Sequence, residues 1–182
     1  KYLYNDPDSA FFYGKLALDN AIKANQKAAC NTLLGLITLE QDLLHTSADY
    51  FSKSLTLSTD EKTEAINKHG IAKVLRKQKR WIESISLARE AQLFYKNTTA
   101  SVRLADVYNL LAHTCSDLSK DRTAFADSSI SYLQRSIALR RLVSQKSLNN
   151  AYFDISFSYE HVNVDSAKYY IRKALASGTL RK

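Results

Sequence analysis

Apolar residues recur three and four positions apart along most of the chain, and no stretch sustains the alternation of a half-buried strand. The pattern predicts helices. One helical sentence is written five times: "DSAFFYGKLALDN" from Asp8, "TSADYFSKSLTL" from Thr46, "IESISLAREAQLF" from Ile82, "DSSISYLQRSIAL" from Asp127 and "DSAKYYIRKALAS" from Asp165. A small residue closes each copy, at Ala17, Ser54, Ala91, Ser136 and Ala174, with spacings of 37, 37, 45 and 38 residues. Ahead of each of the last four copies lies a second helical segment, starting near Ala28, Glu64, Ala105 and Asn150. Each of these carries a large apolar residue followed at once by a small one: Leu34-Gly35, Ile71-Ala72, Leu111-Ala112 and Ile155-Ser156. The unit is a pair of antiparallel helices, repeated roughly every 40 residues.

The small residues have a physical role. Two helices that cross closely cannot both present large side chains at the crossing, so Gly35 is expected to face Ser47 and Ala72 to face Ser84. Phe51, Trp81 and Tyr132 would fill the space around them. One hairpin cannot bury both apolar faces, so neighbouring hairpins must stack. The expectation is a single all-α solenoid over residues 1–182, a right-handed α-α superhelix. Its parts are a half repeat at 6–26 and repeats at 27–60, 61–99, 100–145 and 146–178. "KYLYN" is at most a remnant of a first helix, and only "SGTLRK" follows the last. Both ends therefore read as uncapped, which makes dimerisation through them an expectation.

At this point the residues resemble tetratricopeptide repeats, whose units pair a helix bearing Leu-Gly/Ala and an aromatic with a helix bearing Ala-x-x-x-aromatic-x-x-Ala. The matching residues are Leu34, Gly35 and Phe51, then Ile71, Ala72, Trp81, Ser84 and Ala91. Tyr108, Leu111, Ala112, Ser129 and Ser136 follow, and then Tyr152, Ile155, Ser156, Tyr159, Ala167 and Ala174. The resemblance spans about residues 6 to 177 and departs from the usual 34-residue period. The extra length shows most clearly in "SKDRTAFADS", between Ser119 and Ser128. Pro7 is the sole proline, whereas the family often ends its second helix with one. Long-period units are similar to those in the sensory regions of bacterial signalling and transcriptional regulators, Bacteroidetes versions above all. The resemblance implies a non-catalytic scaffold that binds protein or peptide on a concave surface lined by the first helix of each unit.

Composition supports helices. Hydrophobic residues make up 45%, enough for a core, while 4 Gly and 1 Pro are too few for a turn-rich β protein. The chain has no Met and begins at Lys1, which reads as a processed or excised piece and leaves its compartment open. No apolar run approaches a membrane span. Cys30 and Cys115 have no metal or redox spacing and are expected to be buried thiols. The net charge of +8 admits an acidic protein, nucleic acid or an anionic surface as partner. Its densest stretch, "KVLRKQKR" from Lys73, reads equally as a solvated helix end, where cations suit the dipole.

No HExxH, GxSxG, phosphate-cradling loop or dinucleotide fingerprint occurs, so no catalytic residue, metal ligand or cofactor is assigned. His113 and Asp117, one helical turn apart, could share a metal or a proton, but the plainer reading is a helix-surface pair. What remains is a groove. The family's first-helix faces correspond here to Thr32, Leu36 and Leu39; His69, Lys73 and Arg76; Asn109, His113 and Ser116; and Asn150, Phe153 and Phe157. The expected site is His69, Lys73, Arg76, Asn109, His113, Asn150, Phe153 and Phe157, with a basic middle for acidic side chains or a terminal carboxylate. Lys73 with Asn109 resembles part of the family's carboxylate clamp, without the full set. Phe153 and Phe157 would supply an apolar anchor, or would pack against a further helix. Single-stranded RNA is the alternative partner; the spread of 37 to 45 residues sets the units out of register with nucleotides.

Overall fold

The computed structural model describes residues 6–119, 124–142, 145–160 and 162–176. Among them nine α-helices follow one another and no strand occurs. They are α1 (Pro7–Asp19), α2 (Ala24–Glu40), α3 (Leu44–Leu57), α4 (Glu61–Lys77), α5 (Trp81–Lys96), α6 (Ser101–Ser119), α7 (Ala124–Arg141), α8 (Gln145–Tyr159) and α9 (Val164–Ala176). The odd-numbered helices are the five copies of the repeated sentence, and the even-numbered ones are the segments preceding them. The fold is an all-α helical repeat, as expected. "KYLYN", residues 120–123 of the long turn, His161 and "SGTLRK" lie outside the described residues. The chain forms two compact units, one ending at Phe94 and the other beginning at Tyr95.

Local chemistry sets the helix ends. Asp6 caps α1, its carboxylate accepting from the Ser9 amide at 3.1 Å, with Pro7 in the first turn. Asp60 caps α4 through the Lys62 and Thr63 amides at 3.0 and 3.1 Å. A side-chain hydrogen bond with Thr63 leads, with the Thr63 and Lys62 amides behind it, in holding the Asp60 carboxyl below the usual range. Two turns close without glycine. In the first, the Leu43 amide donates to the Thr38 carbonyl at 2.9 Å and the Asp42 amide to that of Leu39 at 3.1 Å. In the second, Arg80 and Lys79 donate in the same way to Leu75 and Arg76, each at 2.9 Å. Both are Schellman caps, with Asp42 (φ 61°) and Lys79 (φ 62°) in the left-handed region usually given to glycine.

The glycines are placed elsewhere, at helix crossings. Phe51 of α3 is fully buried, wedged between α2 and α4. A Cβ on Gly35 would lie 2.7 Å from its ring, and one on Gly70 would lie closer still. The backbone approach expected from the small residues is secured by hydrogen bonds as well. Ser47 Oγ donates to the Gly35 carbonyl at 2.8 Å, and Ser84 Oγ to that of Ala72 at 2.7 Å. Trp81 is half-buried at the start of α5.

Beside Phe51 lies a buried polar cluster joining three helices. Thr32 Oγ1 and Ser54 Oγ are 2.8 Å apart, Thr32 donates to Asn67 Oδ1 at 2.9 Å, and Asn67 Nδ2 donates to Ser54 Oγ at 2.8 Å. Ser54 in turn donates to the Ala28 carbonyl at 2.8 Å. The second unit is filled differently. Leu133, Ile137, Leu148, Tyr152 and Ile155 pack with Ala112, Ala151 and Ala174, and Tyr132, Tyr159 and Tyr170 lean on this core. Cys115 is buried and Cys30 only half-buried; both are free.

Candidate functional site

The expected groove residues separate by burial and by unit. In the first unit, His69 is 5% exposed, and Thr32 and Leu39 are also buried. This corrects the expectation that they line an open surface: Thr32 belongs to the polar cluster with Asn67, and the His69 ring sits within the packing of α4. Lys73 and Arg76 are half-buried one turn apart on α4. Two cations of the basic stretch they open, Lys77 and Arg80, are paired with carboxylates. Lys77 Nζ pairs with Asp42 at 2.6 Å, and Arg80 Nε donates to Glu83 at 2.8 Å. Lys68, on the same helix, bridges Glu64 and Glu90, and the hydrogen bond it donates to Glu64 leads in raising its ammonium pKa.

In the second unit the expected residues lie on α6 and α8. Asn109 and His113 are half-buried on α6; Asn150, Phe153 and Phe157 are exposed on α8. His113 Nε2 lies 3.5 Å from Asp154 Oδ2 of α8, so the carboxylate that faces it from another helix is Asp154. Phe153 and Phe157 meet edge to face, with ring centroids 4.8 Å apart. Sequence reasoning missed Asp154, yet a signal was there. It occupies the register position held by Leu33, Gly70 and Leu110 in the other first helices, and a carboxylate there is out of pattern.

Lys73 falls in the first unit and Asn109 in the second. Each therefore contributes within its own unit: a cation on α4, an amide on α6.

A second cluster surrounds Tyr152 on α7, α8 and α9. Tyr159 and Tyr170 stack at 5.7 Å, and Tyr152 meets Tyr170 at 6.0 Å. Lys173 Nζ lies 4.9 Å from the Tyr169 ring centroid, and Arg141 reaches the Tyr152 hydroxyl at 3.5 Å. Burial pushes the Tyr170 phenol up, and the hydrogen bond that Lys173 donates to the Tyr169 hydroxyl raises the Lys173 ammonium. Two open depressions complete the surface. One, of about 300 Å³, is lined among the described residues by Asp127, Ser128, Ser131, Tyr132 and Arg135 of α7. The other, of about 290 Å³, is lined by Asp8, Phe11, Thr38, Gln41, Leu43 and Thr46. Among the described residues, no group of three or more His, Cys, Asp and Glu could hold a metal ion, and no helix is long and apolar enough to cross a membrane.

Comparison with known proteins places the fold. No protein-family model matches the chain and no curated protein matches it significantly. Solved structures do. BtubC (BKLC) from P. vanneervenii superposes with a TM-score of 0.75 at 14% identity, over 97% of this chain and 74% of that one. The TPR-like repeats of a putative kinesin light chain from Podosopora anserina give 0.70 at 10% identity, over 97% and 89%. The Rap protein, in complex with Competence and Sporulation Factor, gives 0.72 at 16% identity; the match covers 88% of this chain and 45% of that one. The chain has the tetratricopeptide-repeat fold.

Proposed function

We propose that this chain is a non-catalytic interaction scaffold that takes a protein or peptide ligand on the exposed faces of its even-numbered helices. The observation that carries the reading is the Phe153–Phe157 pair. Two phenyl rings, 41% and 58% exposed, stand edge to face on a helix where the fold offers partner surface, beside the His113–Asp154 pair. Rigid aromatic anchors with a polar rim are the residue types that dominate peptide affinity. Lys73 and Arg76 on α4, and Asn109 and Asn150 in the second unit, supply donors for acidic side chains or a terminal carboxylate. The Rap complex shares this fold and supports a ligand-binding reading. The long repeat period supports a setting in the sensory or interaction segment of a bacterial signalling or transcriptional regulator.

The test is fluorescence polarisation with a random peptide library bearing free C-termini, set against labelled single-stranded RNA. Peptide binding should weaken at least about tenfold in a Phe153→Ala, Phe157→Ala variant. A Lys73→Ala, Arg76→Ala variant should lose the preference for acidic peptides. Tight RNA binding with a steep salt slope, indifferent to both variants, would overturn the reading.

A further inference from the structure

The repeat provides its own reference for what ought to be buried. Aligned on Ala17, Ser54, Ala91, Ser136 and Ala174, the odd-numbered helices share register positions. Three residues before the small one stand Gly14, Phe51, Ala88 and Leu133, all buried, and then Ile171, which is 41% exposed. One residue after it, Gln92 and Ile137 are buried, whereas Leu175 is 51% exposed. The first helices show the same break, since Phe153 stands open where Thr32 and His69 are buried.

Within the first unit the cover at these positions comes from the opening helix of the next hairpin. Gly70 of α4 closes on Phe51, and Asn67 of α4 closes on Thr32. Leu36 packs on the Phe51 cluster, and the same register sets Phe157 beside Ile171. The α8–α9 face is therefore shaped for a helix, and no described helix occupies it.

Charge specifies which helix. Six residues before the small one, α5 and α7 bury Ile85 and Ile130, but α9 carries Lys168, which is exposed. Arg172 is exposed one turn further on, and neither cation has a carboxylate partner among the described residues. A core position converted to lysine calls for an acidic residue opposite it, not an apolar one. A second copy of this chain fits poorly, because it would set Lys168 and Arg172 against their own kind at a net charge of +8 per copy.

We propose that the α8–α9 face docks one amphipathic helix of an acidic partner protein, its apolar stripe on Phe157, Ile171 and Leu175 and a carboxylate against Lys168. The proposal rests on the scaffold reading, shares Phe157 with it, and adds a partner class and the α9 face of Lys168, Ile171 and Leu175.

The test uses the full 182-residue chain and two labelled 17-residue peptides. Both keep the apolar positions of α4, the helix that seats on α3; one carries Glu and the other Lys at the exposed positions. Fluorescence polarisation at physiological salt should show the Glu peptide binding at least about tenfold more tightly. Lys168→Glu should reverse that preference. An Ile171→Asp, Leu175→Asp variant, changed only at exposed positions, should bind neither peptide. No binding of either peptide up to about 100 µM would overturn the proposal. So would a preference unchanged in Lys168→Glu, or a dimer in sedimentation that Leu175→Asp dissociates. Loss of binding in a Lys73→Ala variant would move the site to the groove, overturning this proposal while leaving the scaffold reading intact.

Discussion

The two compact units solve one packing problem in different ways. At equivalent register positions the first buries Phe51 and the second Leu133. The larger side chain is accommodated by removing Cβ atoms from both flanking helices, at Gly35 and Gly70, and a polar cluster of Thr32, Ser54 and Asn67 closes the space beside it. The second unit needs no glycine. Leu133 and Ile137 pack against Ala112, Ala151 and Ile155, and tyrosines close the rim. What the repeat holds constant is the helix spacing, and side-chain volume on one helix is exchanged for volume on its neighbours.

The largest expected effect tests that exchange. Phe51→Ala should destabilise the protein by about 4 kcal/mol and Leu133→Ala by about 3 kcal/mol, as large-to-small changes at fully buried sites do. Gly70→Ala drives a Cβ into the Phe51 ring and should cost about 2 kcal/mol. In a Phe51→Leu background most of that cost should disappear. A double-mutant cycle from urea denaturation followed by circular dichroism measures the coupling. Additivity within about 0.5 kcal/mol would mean that the glycine and the phenyl ring are not a matched pair.

The smaller contrast lies in the hydroxyls. Ser54 and Ser136 occupy one register position, and each donates to a first-helix carbonyl: Ser54 to Ala28 at 2.8 Å, Ser136 to Ala105 at 3.1 Å. Ser54 also accepts from the fully buried Asn67, while Ser136 accepts from Arg140, which retains its ion pair to Asp106 at 2.7 Å. Ser54→Ala strands a buried amide and should cost about 2 kcal/mol; Ser136→Ala should cost about 1 kcal/mol. Ala91, fully buried at the same position in α5, shows that the backbone accepts alanine where no such cluster depends on the hydroxyl. Equal losses in thermal or urea denaturation would remove the distinction between the units.

How far the sequence discloses this structure depends on whether a feature is periodic. The hairpins and the crossings of Gly35 with Ser47 and Ala72 with Ser84 follow from residues that recur in register. The groove was harder to read. Thr32 and His69 share a register position with Phe153, and nothing in a polar side chain says whether the next helix covers it. Asp154 and Lys168 escaped for the opposite reason. Each breaks the pattern of its position, and a search for matches passes over an exception, although the exception is where a partner or a cross-helix contact is written. Asp42 and Lys79 escaped because a left-handed cap usually announces itself as glycine.

That last point carries the mildest prediction and separates two kinds of turn. Asp42 and Lys79 close the hairpins of the first unit in the left-handed region, whereas the turn before α9 closes by the Val162 and Asn163 amides donating to the Tyr159 carbonyl at 3.0 and 2.8 Å. A non-glycine residue held at positive φ gives up about 1 kcal/mol to its Cβ. Lys79→Gly should therefore raise stability by about 1 kcal/mol in urea denaturation, since Lys79 is exposed and its backbone hydrogen bond to Arg76 is retained. Asp42→Gly should gain less, because it also removes the ion pair to Lys77. A loss on Lys79→Gly would mean that the lysine side chain, and not the turn geometry, holds that hairpin closed.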